Sequence, residues 1–104
     1  MKNAPKHLSS EAKKTWQKLS DEFNIDDNAG LLLLQTAMEA FDRMRQAQAQ
    51  IRADGMTISD RFGQPKPHPL LITERDARSA LLAALKALRL DPTVIAKSIN
   101  IGKA

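Results

Sequence analysis

The chain contains few groups able to do covalent or metal chemistry. Its only imidazoles are His7 and His68, which stand far apart, and it has no cysteine. No His, Cys and carboxylate residues recur at metal-ligand spacing, so neither a metal nor a cofactor is expected. Ser9, Ser10, Ser20, Ser59, Ser79 and Ser98 lack the flanking glycines of a nucleophile elbow. Gly102-Lys103 lacks both the earlier glycine and the following helix of a phosphate-binding loop. The paired carboxylates Asp26 and Asp27 have a complete explanation as helix caps. These absences point away from an enzyme.

What remains is charge. Sixteen Lys and Arg against twelve Asp and Glu give a net charge of +4. Lys2, Lys6, Lys13, Lys14 and Lys18 gather at the front against a single Glu11. Such a front is a polyanion contact or simply a solvated end. A second group, Asp60, Arg61, Lys66 and His68, falls in a Pro- and Gly-punctuated segment and is either a contact loop or a chain reversal.

These side chains must be positioned by helices, and one stretch dominates. Residues 26–54 read as a single long helix, opened by Asp26-Asp27 and ended by Arg52 and Gly55, with Gly55 free to turn left-handed. About 25 residues at ~1.5 Å rise give a rod of roughly 37 Å. A compact globule of this length would be only about 34 Å across. Leu34, Ala37, Met38, Phe41, Met44, Gln48 and Ile51 form one stripe of the rod, and Leu31 to Leu34 is apolar all round. The stripe is either the core face of a monomer or part of an oligomer seam. Leu31, Leu32, Leu33 and Met38 are the residues expected at that seam.

The remaining chain packs along this rod. Met1 to Lys6 lacks apolar periodicity, and residues 1–8 are expected to form a flexible basic arm. Ser9 caps a first helix running to about Phe23, with Ala12, Trp16, Leu19 and Phe23 inward. Trp16 is a packing anchor or a base-stacking residue. After Gly55, Met56 to Pro69 reads as a small β-hairpin or extended loop, with Gly63 at positive φ and Pro69 opening the next helix. That helix, about Leu70 to Arg89, turns Ile72, Ala77, Leu81, Ala84, Leu85 and Leu88 inward and returns antiparallel along the rod. Asp91-Pro92 opens a short C-terminal helix to about Ile99, followed by a tail over 100–104. The expected fold is mainly α: a long antiparallel helical hairpin with an added helix at each end, in a single domain spanning 1–104. The longest apolar run, Leu31 to Leu34, is far shorter than the ~20 residues of a membrane span.

Several segments carry a resemblance. His7-Leu8-Ser9-Ser10-Glu11-Ala12, Trp16, the run from Asp54-Gly55-Met56-Thr57 through Asp60-Arg61-Phe62-Gly63-Gln64-Pro65-Lys66-Pro67-His68-Pro69, Thr73-Glu74-Arg75-Asp76-Ala77-Arg78 and the Leu88 to Pro92 ending are similar to the small subunit of phage terminases. The resemblance covers roughly four-fifths of the chain. It implies a non-enzymatic component of a viral DNA-packaging motor in the host cytoplasm. Such a subunit binds double-stranded DNA, assembles into a homo-oligomeric ring and serves a large subunit with ATPase and nuclease activity. On this view Lys2, Lys6, Lys13, Lys14, Lys18, Arg61 and Lys66 are the candidate DNA contacts. A protein-only adaptor that binds no DNA stays open, because the charge excess is thin. A helix-turn-helix regulator fits less well, since the long helix is too extended for an ordinary recognition helix.

Overall fold

A computed structural model of the chain describes residues 3–89. Three helices, α1 (Ser10–Glu22), α2 (Asn28–Asp54) and α3 (Leu70–Ala87), are joined by a short turn and by a two-stranded ribbon, β1 (Thr57–Ser59) and β2 (Pro65–Pro67). Lys2, the expected C-terminal helix and the tail lie outside the described residues.

Local chemistry sets each boundary. The Ser9 Oγ accepts from the Ala12 N–H at 3.0 Å, and the Asp27 carboxylate accepts from the Gly30 N–H at 2.9 Å. Each supplies an acceptor that the first helical turn lacks. Asp26 is not the cap; it stands exposed one residue earlier. The Gly55 N–H closes α2 on the Ile51 carbonyl at 2.7 Å. Its φ of 86° and ψ of 161° carry the chain into an extended segment instead of the expected left-handed helical turn. Pro69 occupies the cap position just before α3.

The 27 residues of α2 form the shared packing surface. Its stripe Leu34, Ala37, Met38, Phe41 and Met44 shares one core with Leu8, Ala12, Trp16 and Leu19 on one side and Ala77, Leu81, Ala84 and Leu85 on the other. α2 and α3 make the expected antiparallel hairpin, with Phe41, Met44, Leu81 and Leu85 all buried. α1 packs on the N-terminal half of α2. Ion pairs and hydrogen bonds hold its start beside Asp42 and Arg45, so it lies along the whole first half of the rod. The molecule is accordingly elongated, 54 × 27 × 21 Å, and outreaches a compact globule of its length, as the length of the rod implies.

Several side chains depart from expectation. Ile72 is 60% exposed. Five residues separate it from Ala77, about 500° of helical rotation, so the two cannot share a face. Leu31 and Met38, expected at a subunit seam, belong to the core of the single chain, whereas Leu32 is 64% exposed. The segment expected as a free arm is docked where it is described: Leu8 is buried and Ala4 packs on the core.

A buried imidazole joins the far ends of α2 and α3. The His68 Nδ1 accepts from the Leu70 N–H at 3.0 Å, so Nε2 carries the proton and donates to the Asp54 carboxylate at 2.9 Å. The His68 N–H also reaches the Met56 carbonyl at 2.8 Å. His68, grouped with the contact loop on sequence grounds, is instead the brace of this corner.

Two stability predictions follow from this packing. Phe41 is 1% exposed. Phe41→Ala should cost about 3–5 kcal/mol in urea unfolding, through lost burial and a residual cavity. An unchanged midpoint would show that the core is not built around it. The second prediction concerns acid. Hydrogen bonds from Gln50 and then His68 hold the Asp54 carboxyl below its ordinary pKa, and those from His7 and Gln35 do the same for Glu39. A depressed carboxyl contributes stability above its unfolded pKa and loses it as pH falls through the folded one. The Glu39→Gln/Asp54→Asn double variant should therefore be less stable at neutral pH and lose less stability between about pH 5 and pH 2. Parallel pH profiles for the two proteins would contradict this assignment.

Candidate nucleic-acid interface

The expected cations fall into two separate places. Lys13, Lys14 and Lys18 project from the outer side of α1, opposite the buried Ala12, Trp16 and Leu19, and Lys6 is exposed on the segment leading into it. Arg61 and Lys66 belong to the ribbon. The α1 ties reach no further along α2 than Arg45, and the ribbon begins only after Asp54. About nine residues of α2, roughly 14 Å, lie between them.

Three polar ties fix the first group. The His7 Nε2 meets Glu39 at 2.7 Å, Ser9 donates its N–H to Asp42 at 2.9 Å and its hydroxyl to the other oxygen of the same carboxylate, and Arg45 pairs with Glu11 at 3.3 Å. Residues 39, 42 and 45 recur every three positions, one stripe of α2. Arg45 also donates to Gln48 and stacks over the Phe41 ring at 4.9 Å, so its guanidinium is fully engaged. Glu39 and Asp42 were not recognised from the sequence because nothing local marks their partners, more than thirty residues away. The lysines themselves remain exposed, but the whole of α1 carries three lysines against Glu11, Asp21 and Glu22. The helix itself is therefore charge-balanced, and the excess of the front is reduced to Lys2 and Lys6 ahead of it.

Trp16 is 3% exposed, which settles its role as a packing anchor, since a buried ring cannot stack on a base. Among the described residues its Nε1–H has no acceptor, at the wall of an open cleft of about 280 Å³ that also involves Pro5, Leu31 and Leu32.

The ribbon has the opposite charge pattern. Thr57 pairs with Pro67, Ile58 with Lys66 and Ser59 with Pro65. Asp60 braces the connecting turn: its Oδ1 accepts from the N–H groups of Phe62 and Gln64 at 2.8 and 2.9 Å, and its own N–H reaches the Gln64 carbonyl at 2.8 Å. Gly63 has the expected positive φ, 76°, which a residue with a side chain would strain to adopt. The acids at this end, Asp54 and Asp60, are engaged by their neighbours. Arg52, Arg61 and Lys66 are exposed and make no ion pair among the described residues. Arg61 lies over the Phe62 ring at 4.9 Å, and Phe62 is 73% exposed. Phe62 was missed on sequence grounds; the available signal was a large apolar residue inside a turn marked by Ser59, Asp60 and Gly63.

Among the described residues no group of His, Cys, Asp or Glu could hold a metal, and no helix is long and apolar enough to cross a membrane. Against known proteins, a family model described as phage terminase, small subunit, matches residues 12–102. No curated protein and no solved structure matches the chain. The family match takes in nearly all of α1, the whole of α2, the ribbon and α3, and with them Lys13, Lys14, Lys18, Arg61 and Lys66, but not Lys2 and Lys6. The chain belongs to the phage terminase small-subunit family.

Proposed function

We propose that this protein is the non-catalytic DNA-recognition subunit of a phage terminase, binding double-stranded viral DNA and assisting the large subunit during packaging in the host cytoplasm. Family membership is the observation that carries the reading. The unpaired cations of the ribbon support it, because phosphate contacts supply most of the affinity in such complexes. Lys2, Lys6, Lys13, Lys14 and Lys18 are the second proposed contact. The balance of lysines and acids on α1 favours a different role for that face, docking on protein, and is the basis of the adaptor alternative.

Assembly into a homo-oligomeric ring belongs to the same proposal. Leu32, exposed and next to the half-buried Leu33, is the part of the expected seam left free by the single chain. Heterologous contacts of this kind close into rings when the rotation between subunits allows it. Light scattering at high micromolar protein should give a multiple of 11.5 kDa, and Leu32→Glu should reduce the assembly without unfolding the chain. A monomer mass for the unchanged protein would remove the ring.

DNA binding is tested by titrating a labelled duplex at several salt concentrations. If an assembly engages about six phosphates, log K should fall against log salt with a slope of roughly −5. Arg61→Ala should weaken binding on all sequences and flatten that slope, since phosphate contacts carry no sequence code. A larger effect from the Lys13→Ala/Lys14→Ala double variant would move the contact to α1. No binding by the unchanged protein at low salt would favour the adaptor.

A further inference from the structure

The tip of the ribbon is stiffer and more apolar than a chain reversal requires. Four hydrogen bonds close the turn from Asp60 to Gln64: two onto the Asp60 carboxylate, one from the Asp60 N–H to Gln64, and one from the Gly63 N–H to the Asp60 carbonyl at 3.0 Å. Phe62 projects from this braced turn and is 73% exposed. Arg61 covers one face of its ring at 4.9 Å. The fold makes no use of the ring, which lies outside the core cluster.

The surroundings of Phe62 decide what the tip fits. A protein-binding hot spot sets its aromatic anchor within an apolar patch. Here the neighbouring residues are Arg61, Gly63 and Gln64, with Lys66 two positions beyond, and the other exposed apolar residue of the segment, Met56, is at the ribbon's base. Strand addition along β2 is also blocked. The Asp60 N–H bonds to the Gln64 carbonyl and the His68 N–H to the Met56 carbonyl, and in this register the outward positions of β2 are Pro65 and Pro67, which have no N–H to donate. An aromatic ring flanked by free cations on a narrow, rigid projection matches a duplex with phosphates on either side of a base step.

We propose that the tip is a wedge, with Phe62 entering a base step of duplex DNA from the minor groove while Arg61 and Lys66 bind the flanking phosphates. Apolar side chains inserted in this way partly unstack the step and kink the duplex. Flexible pyrimidine–purine steps such as TA yield most easily. This inference rests on the DNA-binding reading above and adds to it a mode of engagement.

The test uses the full chain and a duplex carrying 2-aminopurine in place of adenine at TA steps, with dyes at its ends to report bending. Binding by the unchanged protein should raise the 2-aminopurine fluorescence and shorten the end-to-end distance. Phe62→Ala should abolish both signals yet keep the salt slope, because it leaves the phosphate contacts in place. Phe62→Leu, a smaller apolar wedge, should retain part of both. Arg61→Ala/Lys66→Ala should flatten the slope by about two units for each subunit engaged on the duplex, one for each lost phosphate contact. Circular dichroism melts should be unchanged for all the variants, since the substituted residues are exposed. Full signals from Phe62→Ala would overturn the wedge, as would binding by the unchanged protein with neither signal. The second result would leave DNA recognition standing, whereas no binding at all would overturn both.

Discussion

Burial of a single stripe on α2 is the constraint on which the rest of this structure depends. Leu34, Ala37, Met38, Phe41 and Met44 are each no more than 1% exposed, and one helix must present them to α1 and α3 together. The small residues Ala37 and Ala40, fully buried, let neighbouring backbones approach closely. α3 supplies its own short repeat of small and large residues, Ala77, Leu81, Ala84 and Leu85. Neither flanking helix could bury its apolar face without α2. The elongated shape is a consequence, because the core follows the rod instead of gathering into a sphere.

The two ends of the rod are secured by different means. At the N-terminal half, Leu8 enters the core and three polar ties, to Glu39, Asp42 and Arg45, hold the segment before α1 and its first turn in register. Exposed ion pairs contribute little singly. Here their value is geometric: the Ser9 that caps α1 is also the residue gripped by α2, so helix start and helix docking are one event. At the other end, His68 makes hydrogen bonds to Asp54, Leu70 and Met56 and ties α2, the ribbon and α3 together. The ribbon beyond it turns the Asp60 carboxylate onto its own backbone and leaves its cations outside. A rigid projection with free positive charge is thus the by-product of a corner whose acids are already engaged.

The same logic explains why counting charges along the chain misleads. The first eighteen residues hold five lysines and one acid, which looks like a basic face. Asp21 and Glu22 belong to the same helix as Lys13, Lys14 and Lys18, so α1 as a whole carries as many acids as lysines. The ribbon, with two cations and one acid in its sequence, presents more usable positive charge, because Asp60 points its carboxylate into the turn. What a partner meets is the charge left over after internal pairing.

The amino-acid sequence by itself determined the helices, their caps and the chain reversal. These are local: Ser9 and Asp27 need only the amides three residues on, Gly63 needs only its own backbone freedom, and the 3.6-residue period of α2 is written in consecutive positions. The family was legible for the same reason, since the block from Asp54 to Pro69 is contiguous. Tertiary structure alone decided which apolar residues face water. Leu31 and Leu32 are adjacent and identical in type, yet one joins the core and the other is exposed, because α1 covers only one side of the rod. It alone decided that His68 is a brace and not a contact, that His7 and Ser9 find Glu39 and Asp42, and that Trp16 is an anchor. Each of these depends on a partner more than a dozen residues away or on an entire packed face. Such pairings are set by the way amphipathic helices share one surface, and no local spacing encodes them.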